Sequence, residues 1–500
     1  MICPNVGLFL GVCPAIEKKE MTEKKYRVET DLLGSKEVPA DVLYGVQTVR
    51  AMENFVISGR VMSEYPNLIR GMAMTKKAAA MANREVGMIT DQQADAICQA
   101  CDELLAGKYH DQFPIDMMQG GAGTSTNMCA NEVIANRALE LMGYERGQYE
   151  YCSPNDVVNA SQSTNDAYPC SLHLALFMEH EQFLPHLKAM IDALERKSEQ
   201  FSQVIKMGRT QLQDAVPMTL GQTFGGFAAS LRTEIRTLNM AAREFLTVNM
   251  GATAIGTGIC SKPGYSEACI KALRKVSTWN IQLADNLIEA TSATSCMIQY
   301  SSALKRLCIR LNKMCNDLRL MSSGPRCGLN EIHLPERQPG SSIMPGKVNP
   351  VIPEVMNQVC YKVIGNDMCI TFASDNGQLE LNVMEPVIAY SLFESMHLLT
   401  HGLDTLRTLC IDGIEANEAR CRQLVEGSIG IVTILNPIIG YKQSTAIAKE
   451  AAETGRGVYE LVLEHGLLSQ EQLDYLLRPE NMIKPMVWED LHFDTNIEYR

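Results

Sequence analysis

In SALKRLCIRLNKMCNDLRLM, residues 302–321, the apolar side chains Leu304, Leu307, Leu311, Met314, Leu318 and Met321 recur at alternating steps of three and four. That spacing draws one continuous apolar seam down a helix, which needs partner helices to cover it. EQFLPHLKAMIDALERKSEQFSQVI, residues 181–205, repeats the habit with Phe183, Leu187, Met190, Leu194, Phe201 and Ile205. Stripes this long, recurring over the middle of a 500-residue chain, predict a mostly α protein with a central bundle of long helices. They also predict assembly of bundles across subunits.

Strand signals are short and weak, as in DVLYGVQT near the N-terminus. Changes of texture divide the chain into an extension over 1–20, a mixed N-terminal domain over 21–160, a helical domain over 161–416 and a small C-terminal domain over 417–500. The apolar run VGLFLGV, Val6 to Val12, has no Lys or Arg before it, so it lacks the charged lead of a secretory signal. No run of eighteen apolar residues exists, so a membrane span is not expected. A formal charge of −13 argues against nucleic acid as partner.

Seventeen cysteines are scattered through apolar stretches, a usage that fits reduced thiols in a cytoplasm. Cys98 and Cys101 have CxxC spacing, but no second pair lies at matching spacing for zinc. Cys327, which follows Arg326, is expected to be buried and inert. His397 and His401 sit four apart without the intervening glutamate of a zinc-protease helix, and read as a packed or surface pair.

Four segments concentrate short polar side chains among glycines. GSSIMPGKVNP, residues 340–350, cannot settle as helix or central strand, because two prolines lack donors and the glycines favour a loop. QGGAGTSTNMCANEV holds Thr124, Ser125, Thr126 and Asn127; VNASQSTNDAYP holds Ser161, Ser163, Thr164, Asn165 and Asp166; KMGRTQLQDAVPMTLGQ holds Arg209, Thr210, Gln211, Gln213 and Asp214. Each precedes a helical stretch, so capping explains any one of them. Four together, each richer than a cap requires, predict a site for a small carboxylate. The chain has neither a phosphate-binding GxxxxGK[ST] nor a GxSxG elbow.

These four blocks, in this order, resemble the signature blocks of the fumarase/aspartase superfamily, and the resemblance runs from about Tyr26 to ILNPIIGYKQSTAIAKEAAETG. Fumarases usually carry His where this chain has Gln211; SGPRCGLNEIHLPE and NQVCYKVIGND look like the aspartase branch. The resemblance implies a mostly α fold, a central bundle of long helices flanked by two smaller domains. It implies a homotetramer with a shared helical core and active sites each drawn from three subunits. The implied reaction is reversible deamination of L-aspartate to fumarate and ammonia; a fumarate hydratase or a catalytically silent relative are the alternatives.

By the same resemblance Ser341 is the base that removes the C3 proton, leaving an enediolate. Lys347 and Asn349, with Thr210, would hold the α-carboxylate. Thr124, Ser163, Thr164 and Ser342 would surround the β-carboxylate, and Asn165 and Gln211 would lie near the amine. Gly340, Met344 and Gly346 belong to a loop that closes over the substrate. No cofactor is needed for this chemistry and no metal site is expected; activation by a divalent cation such as Mg is implied by kinship alone.

Overall fold

The computed structural model describes residues 25–483 and 485; the extension over 1–20 lies outside them. The first element is an antiparallel hairpin, β1 (Tyr26–Asp31) and β2 (Gly34–Pro39). DVLYGVQT is not a strand: Val46–Asn54 is a helix. Two distant carboxylates explain this. Glu132 accepts from the amides of Gly45, Gln47 and Thr48 at 2.8–3.1 Å, and Glu29 accepts from Val46 at 2.9 Å. The orphan N–H groups of a helix start are thereby satisfied.

Helix α1 (Pro66–Glu85) and helix α2 (Thr124–Leu141) lead into the bundle. The bundle is built from α3 (Thr164–Gln200), α4 (Leu220–Arg243), α5 (Ser295–Met321), α6 (Val351–Asp375) and α7 (Glu385–Leu409). Each packs on the next and α7 closes back on α3, giving a ring of five. Neighbours run antiparallel except α7 and α3, which run parallel: His186 meets Asp404 and Arg196 meets Asp412. The sequence seam on α5 is fully buried, as are Phe183, Leu187, Met190 and Leu194 on α3. Helix α3 stops at Gln200, however. Phe201 caps it and Ile205 opens a strand, so the last two members of that stripe stay buried while leaving the helix.

Between α3 and α4 lies a second hairpin, β3 (Ile205–Thr210) and β4 (Gln213–Thr219). GRTQLQDA is therefore a hairpin rather than a helix start. A separate apolar core joins Ile205 and Met207 of β3 to the C-terminal helices through Leu435, Leu461 and Leu473. Among the described residues the cysteines are free and most are buried, but Cys327 is exposed, contrary to its expected burial. It sits in the turn 322–331 between α5 and the short strand at Ile332, with no apolar layer above it. His397 and His401 are exposed, their rings 4.4 Å apart. No helix among the described residues is long and apolar enough to cross a membrane.

Candidate active site

One group of polar residues gathers where α2 and α3 begin. Gly123 stands before α2 at φ +85°, and a Cβ there would lie 2.3 Å from the Tyr168 ring, so only glycine lets α2 start against α3. Ser163 caps α3: its Oγ accepts from Asn165 N–H at 3.2 Å, while Asp166 Oδ1 accepts from Ser163 N–H at 2.9 Å. Asp166 Oδ2 also accepts from Gly251 and Thr253 amides. Burial nevertheless raises its carboxyl to about 6.

Pro169 cannot donate to the carbonyl of Asn165, one turn back. Asn249 Nδ2 takes that place at 3.1 Å, and Asn165 Nδ2 donates to Ala254 O at 2.8 Å. Thr164 Oγ1 accepts from Asn127 Nδ2 at 3.1 Å. Thr124 Oγ1 donates to Gly121 O at 2.8 Å, so its proton is occupied by its own turn. Thr124, Ser163, Thr164 and Asn165 are thus brought to one end of the bundle.

Thr210 and Gln211 are not there. Helix α3 has 37 residues, about 55 Å at about 1.5 Å per residue, and they follow its far end. Gln211 and Leu212 form the two-residue tip of the β3–β4 hairpin at φ +55° and +61°. Both central positions are left-handed, a geometry that side chains other than Gly and Asn seldom adopt. Strain of this kind is stored where structure serves a site. Leu212 at the tip is 73 % exposed.

Ser341, Ser342, Lys347 and Asn349 also lie toward the far end, on the loop between α5 and α6. Gly340 N–H donates to Lys347 O at 2.6 Å, and Asn349 Nδ2 donates to Gly340 O at 3.0 Å, closing the loop at its base. A Cβ on Gly340 would sit 2.7 Å from Lys347 O, and Gly346 holds φ +78°, so both positions require glycine. Ser341 Oγ accepts from Ile343 N–H at 3.2 Å. A backbone donor is therefore already aimed at that oxygen. Ser342, Met344 and Lys347 are exposed, and Ile343 stands 83 % exposed.

Among the described residues no hydrogen bond or ion pair joins the Thr164 group to Thr210, Gln211 or the Ser341 loop. Lys76, Asn159 and Asn249 escaped the sequence reasoning, and Asn127 was visible in its loop without a role. Lys76 reads as one more helix lysine; only its complete burial, which lowers its ammonium to about 7, marks it. Among the described residues no group of three or more His, Cys, Asp or Glu side chains is disposed to hold a metal ion. They supply no ligand set that fits the implied divalent cation.

The five-helix ring carries loops rich in hydroxyl and amide donors at both ends. Residues 34–365 match the family described as Lyase and residues 431–484 match Fumarase C C-terminus, and the chain belongs to this fumarase/aspartase superfamily. It is 57% identical over 461 residues to an aspartate ammonia-lyase of Pseudomonas canavaninivorans, covering 92% of this chain and 97% of that protein. The enzyme of the same name from Escherichia coli (strain K12) is 53% identical, over 92% and 96%. Among solved structures, a fumarate lyase:delta crystallin from Brucella melitensis bound to cobalt superposes with TM-score 0.90 at 49% identity, over 92% and 100%. A class II fumarase from Schistosoma mansoni superposes at 0.86 with 35% identity, over 92% and 99%.

Proposed function

We propose that the protein catalyses the reversible elimination of ammonia from L-aspartate to give fumarate. The observation that carries this is the donor set, hydroxyls and amides with the cation of Lys347, on segments that also match relatives named aspartate ammonia-lyase. Proton removal next to a carboxylate puts a second negative charge on that carboxylate, so preorganised donors around it do most of the catalysis. Ser341, as an oxyanion held by the Ile343 N–H, takes the C3 proton and becomes a hydroxyl, and the C–N electrons leave with the protonated amine as neutral ammonia. Thr124, Ser163, Thr164 and Ser342 receive the β-carboxylate, with the Thr124 proton turning from Gly121 O. Lys347, Asn349 and Thr210 hold the α-carboxylate, and Asn165 and Gln211 face the amine. The loop hinged at Gly340 and Gly346, with Met344 at its apex, closes and excludes water.

The same reading makes the working form a homotetramer. The length of α3 supports it, since one chain holds the Thr164 group and the hairpin tip at opposite ends. Exposed Leu212, Ile343 and the stripe Tyr361, Met368 and Phe372 on α6 are surfaces that further copies would cover. Each active site then takes the Thr164 group, the Gln211 tip and the Ser341 loop from three different chains. The division near residues 160 and 416 and a cytoplasmic location belong to this reading, the latter supported by free, buried thiols. The test is fumarate absorbance from L-aspartate and L-malate in parallel. Activity on aspartate with equal ammonia release is expected; activity on malate alone overturns the assignment.

A further inference from the structure

Lys76 is wholly buried on α1, yet among the described residues no carboxylate lies within hydrogen-bond reach, and the buried Asp166 acts on it through its charge alone. Its Nζ donates to two neutral oxygens, Asn159 Oδ1 at 3.0 Å and Gln162 Oε1 at 2.8 Å. Burying an ammonium on amide oxygens is unfavourable compared with an apolar side chain in the same place. Stability therefore does not account for it. The chain of bonds that leaves Lys76 leads to the site.

An ammonium, the form Lys76 holds below about pH 7, has donors and no acceptor. Lys76 accordingly forces Asn159 to turn its Oδ1 inward, where it also accepts from Asn127 Nδ2 at 3.2 Å and Asn131 Nδ2 at 3.1 Å. Asn127 must then present its amino group, whose second hydrogen reaches Thr164 Oγ1 at 3.1 Å. The opposite orientation of Asn127 would set its Oδ1 against Oδ1 of Asn159. The observed one leaves Asn127 Oδ1 buried without a partner among the described residues.

Thr164 is the first residue of α3, so it has no helical carbonyl one turn back to bind its proton, as Thr75 does with Gly71 O. No acceptor for that proton lies within reach among the described residues. We propose that Lys76, Asn159 and Asn127 form a one-way hydrogen-bond chain that positions Thr164, making its hydroxyl accept from behind and donate toward the substrate carboxylate. Asn127 is a positioning residue in this scheme, and Lys76 sets the direction. The scheme rests on the placement of Thr164 at the β-carboxylate proposed above.

The test is a kinetic cycle on the full-length protein with Asn127→Asp, Asn127→Ala, Thr164→Val and the double variant Asn127→Asp/Thr164→Val. Asp has the shape of Asn but only acceptors, so Thr164 would give its proton backwards. Loss of one transition-state donor is expected to lower kcat about 100-fold in Asn127→Asp and in Thr164→Val, with KM changed much less. The double variant is expected to be no worse than Thr164→Val alone. Asn127→Ala, which frees the hydroxyl without reversing it, is expected to lose less than Asn127→Asp. A merely structural Asn127 gives the reverse order, since Ala opens the larger cavity, and multiplied effects in the double variant. Either result overturns the proposal. Wild-type protein inert toward aspartate would instead remove the assigned reaction. Fumarate binding by calorimetry then decides the chain: equal, non-additive weakening in Asn127→Asp and Thr164→Val supports it, and additive weakening sinks it.

Discussion

Replacing Glu385 by Gln should make the protein more stable at alkaline pH and leave it unchanged near pH 5. Glu385 opens α7 and is 3 % exposed. No hydrogen bond or ion pair to it exists among the described residues; its neighbours Tyr168 and Cys296 only feel its charge. Burial raises its carboxyl from 4.5 to about 8. A folded-state value above the unfolded one means folding takes up a proton. That contribution is complete below pH 4.5 and is lost as pH rises through about 8. At about 1.4 kcal/mol per pH unit the displacement corresponds to at most about 5 kcal/mol per chain. The positive end of the α7 dipole offsets about 1 kcal/mol of it. Urea unfolding of both proteins from pH 5 to 9, at one protein concentration, checks this. Curves that separate progressively between about pH 4.5 and 8 and run level above it, by 2 kcal/mol or more in all (roughly half the bound), are expected. Parallel curves would refute the burial argument, and a less stable Gln variant at pH 9 would mean that the carboxylate has a partner.

Two further changes probe the ends of the bundle. Lys347→Ala should raise KM for aspartate about 10- to 100-fold, because a charged hydrogen bond contributes about 1.5–3 kcal/mol; an unaltered KM would remove it from the α-carboxylate. Asn249→Ala leaves the Asn165 carbonyl unpaired above Pro169, and urea unfolding should show a loss of about 1–3 kcal/mol, whereas an unchanged midpoint would mean that another donor replaces the amide.

The bundle was legible because its apolar steps are local: a seam such as Leu304 to Met321 needs no knowledge of its partner helices. The ends of the stripes were not. Phe201 and Ile205 keep the apolar spacing of α3 after the chain has left the helix, because they remain in core. DVLYGVQT misled because the helix start at Val46 depends on Glu29 and Glu132, far away in sequence. The hairpin at Gln211 carries neither Gly nor Asn at its left-handed positions, so its turn is invisible to residue preference. The site loops announced themselves by composition. Their separation along α3 and the buried chain behind Thr164 required coordinates, since Lys76, Asn127 and Asn159 read singly as ordinary polar residues.

On the proposed function, Ser341 and the Thr164 group act in one site although they come from different chains. Thr164→Ala and Ser341→Ala should each be nearly inactive while folded. Co-assembled in equal amounts, they should recover about one quarter of wild-type activity, because random symmetric assembly leaves about one site in four with both residues intact. No recovery from demonstrably mixed oligomers would contradict the account, since it would mean that both residues of a site come from a single chain.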